Sequence, residues 1–153
     1  MAHRLSKDIA NSEEMVALGV DMVKNIQGIE RIYFSGDLGA GKTTLIRGIL
    51  RGLGYMGTVK SPTFSLLEPY PDLQPPVYHF DLYRLQNAEE LEYLGWREYF
   101  LKQNLCLLEW PSRATGLLPI PDLNVIIRKT GEGRVVQLEP FQQHAVAMLD
   151  TLP

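Results

Sequence analysis

Residues 31–45, RIYFSGDLGAGKTTL, restrict the possible folds of this chain more than any other stretch. RIYFS (31–35) is a short apolar run with strand composition. Past Lys42, residues Leu45, Ile46, Ile49, Leu50 and Leu53 recur on one helical face, with Gly54 as a stop signal. Between strand and helix lies Gly36, four residues, then Gly41-Lys42-Thr43, the full P-loop pattern. Gly36, Gly39 and Gly41 let the backbone approach an anion closely, so that successive N–H groups and the helix N-terminus face it. A tight turn alone needs glycine but neither Lys42, which reaches β- and γ-phosphates, nor Thr43, whose hydroxyl suits Mg2+. The expected nucleotide contacts are Gly36, Asp37, Leu38, Gly39, Ala40, Gly41, Lys42, Thr43 and Thr44. No Asn-Lys-x-Asp guanine reader follows, so ATP is favoured.

A P-loop enzyme also needs a carboxylate at the end of a buried strand to fix magnesium or its waters. Asp81 ends VYHFD and Glu109 ends LCLLE; the first is the more usual residue, the second has the better buried-strand run. Either alone serves equally well as a loop cap or a partner of Arg84 or Arg113, whereas two at strand ends beside a P-loop favour catalysis. SPTF (61–64) fits both an ordinary turn and a loop sensing the γ-phosphate. His79, among apolar neighbours, reads as a packed, hydrogen-bonded histidine, and Trp96 and Trp110 as core or interface residues.

The other elements follow from periodicity. Met15, Leu18, Met22 and Ile26 predict a helix over about 11–26, capped by Asn11 or Ser12. Two strands around a proline-rich connector (71–76) are expected within 58–85, and one helix over 87–100 with Asn87 and Glu90 as a capping box. LCLLE (105–109) has the continuous apolar character of a strand covered on both faces. Residues 123–140 read as a hairpin, and 141–149 as a last helix. The sum is one domain over 1–153, α/β, a P-loop NTPase-like three-layer fold. Its sheet is expected to be mixed and mostly parallel, with a C-terminal antiparallel hairpin.

A net charge of −3 argues against a domain that grips nucleic acid unaided, since phosphate neutralisation needs clustered Lys and Arg. Cys106, the single cysteine, sits in an apolar run and suits a reducing compartment. No run has the length of a membrane span and the first fifteen residues lack a signal-peptide core, so the cytoplasm is expected.

Taken in order, GDLGAGKTTL, KSPTF, YHFDLYRL, EELEYLGWREYF and LLEWP resemble the TsaE family, bacterial ATPases of tRNA threonylcarbamoyladenosine biosynthesis, from about residue 11 to 140. The resemblance implies ATP hydrolysis in a complex with TsaB and TsaD, turnover resetting the complex between rounds, and tRNA met indirectly through that complex. By position it implies Lys42 on phosphate, Thr43 and Glu109 on magnesium, and Asp81 near the γ-phosphate, orienting or activating water, so that Lys42, Asp81 and Glu109 form the catalytic set. Ser61 and Thr63 would form a switch-like loop, and Ser12 and Gly133 would close the nucleotide pocket. Many members have Glu after EWP, where this chain has Ser112. A small-molecule P-loop kinase and a nucleotide-gated binding module are the alternatives. The chain shows no lid-sized insertion and its arginines are scattered, which disfavours the kinase.

Overall fold

The structure is a computed structural model that describes residues 4–101 and 103–153. Its centre is a seven-stranded sheet. In chain order the elements are β1 (Leu5–Ile9), α1 (Ser12–Val23), β2 (Arg31–Ser35), α2 (Lys42–Gly52), β3 (Leu67–Tyr70), β4 (Val77–Asp81) and α3 (Glu89–Leu94). There follow α4 (Trp96–Leu101), β5 (Leu105–Glu109), a 3-10 turn (Pro111–Ala114), β6 (Leu123–Thr130), β7 (Gly133–Pro140) and α5 (Gln143–Asp150).

Across the sheet the order is β1-β7-β6-β2-β5-β4-β3. β6, β2, β5 and β4 are mutually parallel, and antiparallel pairings of β7 with β6, β1 with β7 and β3 with β4 complete the two flanks. β1 thereby runs with the central strands, and only β3 and β7 oppose them. This is the expected mixed, mostly parallel P-loop-type sheet with its β6–β7 hairpin.

Alternation along the central strands divides the core between the two faces. Ile32, Phe34, Leu105, Leu107, Leu123, Val125 and Ile127 pack with residues of α1, α2 and α5. Tyr33, Cys106, Leu108 and Phe80 pack with Leu91 and Trp96 of α3 and α4. Every residue of LCLLE is buried, which explains why that strand shows no polar alternation. Leu45, Ile46, Ile49 and Leu50 of α2 are inaccessible to solvent, each contributing about 1.5–3 kcal/mol of transfer free energy.

Helices α1 and α2 meet through glycines. A β-carbon on Gly48 would lie 2.3 Å from the Val16 carbonyl oxygen, and one on Gly19 would lie 2.6 Å from both the Leu45 oxygen and the Ile49 nitrogen. This close approach seats the α2 N-terminus against the chain entering α1. Asn11 caps α1, its Oδ1 accepting from Glu14 N–H at 2.9 Å, and Glu14 Oε1 accepts from Ala10 N–H at 2.8 Å.

Three local expectations change. α1 stops at Val23 rather than near Ile26. The helix expected over 87–100 is two, because Gly95 adopts φ 73° and closes α3 before α4 begins. The capping box is half realised: Glu90 Oε2 accepts from the Gln86 and Asn87 N–H groups at 2.6 and 3.1 Å, but the residue before α3 is Ala88. β1 was not expected from the sequence; its side chains alternate between half-buried and exposed, as on an edge strand, up to Ile9, which is buried in the core.

Candidate functional site

β2, β4 and β5 end at one edge of the sheet. Register places Phe34 beside Glu109 and Asp81 beside Glu109, so the loop leaving β2 and both carboxylates share that edge. The loop needs its glycines. Gly36 has φ 152°, and a β-carbon there would lie 2.6 Å from the Ile127 oxygen; Gly41 enters α2 at φ 114°.

Lys42 is only 5% exposed. Its Nζ donates to the carbonyl oxygens of Gly36 and, at 3.0 Å, Asp37, and sits 4.4 Å from the centroid of the Trp110 ring. Burial pushes its pKa below the usual lysine value; Glu109, Asp81 and Asp37 oppose that shift and Lys129 adds to it.

Thr43 Oγ1 lies 3.1 Å from Glu109 Oε2 and 3.3 Å from Oε1. Glu109 is buried, and its Oε2 is 2.7 Å from Nε2 of the fully buried His79. Asp81 forms a separate cluster. Its Oδ2 accepts from the Ser61 and Thr63 hydroxyls at 3.3 and 3.2 Å, and its Oδ1 from Tyr83 N–H at 3.0 Å. The two hydroxyls are 2.8 Å apart. SPTF leads through a turn into β3, as an ordinary turn would, and its two hydroxyls are also hydrogen-bonded to the strand-end carboxylate.

Two cavities adjoin the loop. One of about 550 Å³ contains Leu38, Lys42, Thr43, Ser61, Thr63, Asp81, Arg84, Glu109 and Trp110 in its walls. The other, about 150 Å³, lies between Asn11, Ser12, Met15, Ala40, Glu132 and Arg134. Gly39, Gly41 and Thr44 line both. Of the two residues expected to close the pocket, Ser12 lines the smaller cavity. Gly133 itself lines neither; it packs on the Ile9 carbonyl while its neighbours Glu132 and Arg134 face the space.

Sequence reasoning missed Arg134, and left His79 and Trp110 without a site role. Arg134 Nε donates to Ala40 O at 2.8 Å and Nη2 to Gly39 O at 3.2 Å, tying β7 to the loop. Only the hairpin register brings it there, so no local signal marked it. Trp110, with its ring against Lys42 and Tyr83, adopts φ 61°, which costs on the order of 1–3 kcal/mol in a non-glycine residue. Its position between a strand-end carboxylate and Pro111 was the available clue. Arg84 lines the large cavity with its guanidinium 4.4 Å from the Phe64 ring centroid, whereas Arg113 stacks on Tyr83 at 5.3 Å. Neither makes an ion pair among the described residues.

Comparison with known proteins identifies the family. The family model described as threonylcarbamoyl adenosine biosynthesis protein TsaE matches residues 9–136. A tRNA threonylcarbamoyladenosine biosynthesis protein TsaE from Haemophilus influenzae is 50% identical over 107 residues, covering 70% of this chain and 68% of its own. One from Bacillus subtilis is 44% identical over 101 residues, 66% of this chain and 63% of its own. The crystal structure of Bacillus subtilis YdiB has a TM-score of 0.80 at 29% identity, covering 98% of this chain and 94% of that one. With a family model spanning most of its length and relatives at this identity, the chain belongs to the TsaE family of threonylcarbamoyl adenosine biosynthesis proteins.

Proposed function

We propose that this protein binds and hydrolyses ATP as a subunit of the tRNA threonylcarbamoyladenosine machinery, working with TsaB and TsaD in the cytoplasm. Turnover resets the complex between rounds, and tRNA is met through the partners. The observation that carries this reading is the convergence of three groups on one loop: buried Lys42, the Thr43–Glu109 pair, and Asp81 with its two hydroxyl donors.

The donor set suits magnesium. The described residues contain no group of three or more His, Cys, Asp or Glu side chains able to hold a metal by themselves. Thr43 and Glu109 supply two neighbouring oxygen-bearing groups, fitting an ion that keeps most of its coordination for water and phosphate. When bound, magnesium would neutralise charge on the β- and γ-phosphate oxygens.

The protein's own part is positioning and electrostatics. The loop N–H groups and Lys42 receive the phosphate chain, and Arg134 braces the loop through two of its carbonyls. Asp81 orients or activates the attacking water, and the Ser61 and Thr63 hydroxyls tie the 61–64 loop to that carboxylate, coupling loop position to water position. Stabilising charge on the transferred phosphoryl is worth about a thousandfold or more when an arginine supplies it. Arg84, in the cavity wall, is the internal candidate; an arginine from a partner is the external one.

The test is ATP turnover by the purified chain alone, then with TsaB and TsaD, then with tRNA. Slow hydrolysis that rises with the partners is expected. A flat rate, with ATP consumed only when small hydroxyl or phosphate acceptors are supplied, would replace this reading with a kinase.

A further inference from the structure

β4 carries a polar residue that the proposed chemistry does not use directly. Alternation puts Val77, His79 and Asp81 on the sheet face covered by α2, the face that also bears Leu105, Leu107 and Glu109 of β5. His79 pairs in register with Leu107 and is one pleat from Glu109. It is entirely inaccessible to solvent in a position where leucine would fill space without desolvating a polar ring. Its Nε2 is 2.7 Å from Glu109 Oε2, while its Nδ1 is buried with no hydrogen-bond partner among the described residues.

This pattern fixes the direction of the bond. An ionised carboxylate only accepts, so Nε2 carries the proton and donates. A buried ring donor at this distance holds the carboxylate in one rotamer. Oε2 is thus shared between His79 at 2.7 Å and Thr43 at 3.1 Å, while among the described residues Oε1 has only Thr43, at 3.3 Å.

We propose that His79 is a positioning residue: its Nε2–H pins Oε2 of Glu109 so that Oε1 is presented, beside Thr43, to a divalent cation held with nucleotide phosphates. This rests on the nucleotide reading given above. The histidine acts through Glu109 and touches neither metal nor phosphate.

The experiment is a magnesium titration of the binding of a fluorescent, non-hydrolysable ATP analogue, with a parallel titration in EDTA and a thermal melt of each variant. His79→Phe, which keeps ring volume and removes the donor, should raise the magnesium concentration for half-maximal effect by about tenfold or more, the usual consequence of losing a ligand's hydrogen-bond partner. Its metal-free nucleotide affinity should stay within about twofold of wild type, because no loop contact changes. His79→Gln, whose amide reaches about as far as Nε2, should restore most of the response, and the shorter His79→Asn should not. If His79→Phe does not fold, the Gln and Asn pair carries the comparison. A purely structural histidine would instead shift both titrations together, or only the melt, and either result overturns the proposal. Wild-type binding that responds to magnesium while Phe and Asn variants match it overturns this inference alone. Wild-type binding indifferent to magnesium overturns the metal assignment as well.

Discussion

Substituting Gly48 by Ala sets two physical effects of opposite sign against each other. In an isolated helix the change is favourable by about 0.5–1 kcal/mol, since alanine loses less backbone entropy. In this protein the new β-carbon would lie 2.3 Å from the Val16 oxygen, 2.9 Å from its Cα and 3.0 Å from its carbonyl carbon. All three are backbone atoms, so no rotamer change relieves the overlap. α1 would have to retreat by roughly an ångström, loosening Met15, Leu18 and Met22 against Leu45 and Ile49. Overpacking costs about 1–3 kcal/mol, and a clash with rigid backbone belongs at the upper end. The clash therefore wins by about 2 kcal/mol. At about 2–4 °C per kcal/mol for a chain of this size, the melting temperature should fall by about 4–8 °C. Gly52→Ala is the control, because its nearest atoms are the Val23 side chain at 3.0 Å and Val20 Cα at 3.2 Å, contacts that adjust by tenths of an ångström. Circular-dichroism melts of both variants decide the matter. A Gly48→Ala protein melting at or above wild type would refute the close crossing.

Three further outcomes are expected. Lys42→Met should raise the melting temperature at pH 7 while abolishing productive ATP binding; because burial holds the lysine pKa below its unfolded value, stability rises with pH between the two, and the advantage should shrink in melts at higher pH. Glu109→Gln and Asp81→Asn should retain some nucleotide binding in fluorescence titrations yet lose about a hundredfold or more in phosphate release, whereas normal turnover in both would remove the strand-end carboxylates from the mechanism. Arg134→Ala deletes two charged hydrogen bonds to loop carbonyls and should weaken nucleotide affinity by about tenfold in the same titration, corresponding to the lower end of the 1.5–3 kcal/mol such bonds contribute.

The strand–loop–helix unit was legible because its demands are local. Glycine at 36 and 41 answers a backbone need, and the apolar stripe of α2 reports one buried face. LCLLE was legible for the same reason, as burial on both faces leaves only apolar residues and one terminal carboxylate. β1 was not, because LSKDI is half polar and forms a strand through pairing with β7, a partner far along the chain. The break at Gly95 was masked by helical periodicity continuing through it, although the glycine itself was the signal. In the site, the grouping of Lys42, Thr43, Asp81 and Glu109 could be read from residue type and strand position. The links could not: His79 reaches Glu109 and Arg134 reaches the loop only because sheet register and hairpin geometry bring distant segments together.

The pairing of Asp81 with Glu109 has a consequence for how such a chain can change over time. Their separation is set by ladder register between two neighbouring parallel strands and is independent of the length of chain joining them. Slipping one strand by a residue would turn His79 and Asp81 to the opposite face and bury Phe80 in the wrong core, a heavy disruption. Changes on the exposed side of the α3–α4 segment, away from buried Leu91 and Trp96, leave the carboxylates where they are. That outer segment, where Tyr93 is 92% exposed, can therefore drift toward new surface shapes while the loop-facing edge keeps its dimensions. The fold separates a part free to vary from a part held to a fixed gauge, and the dividing line runs along the hydrogen bonds between β4 and β5.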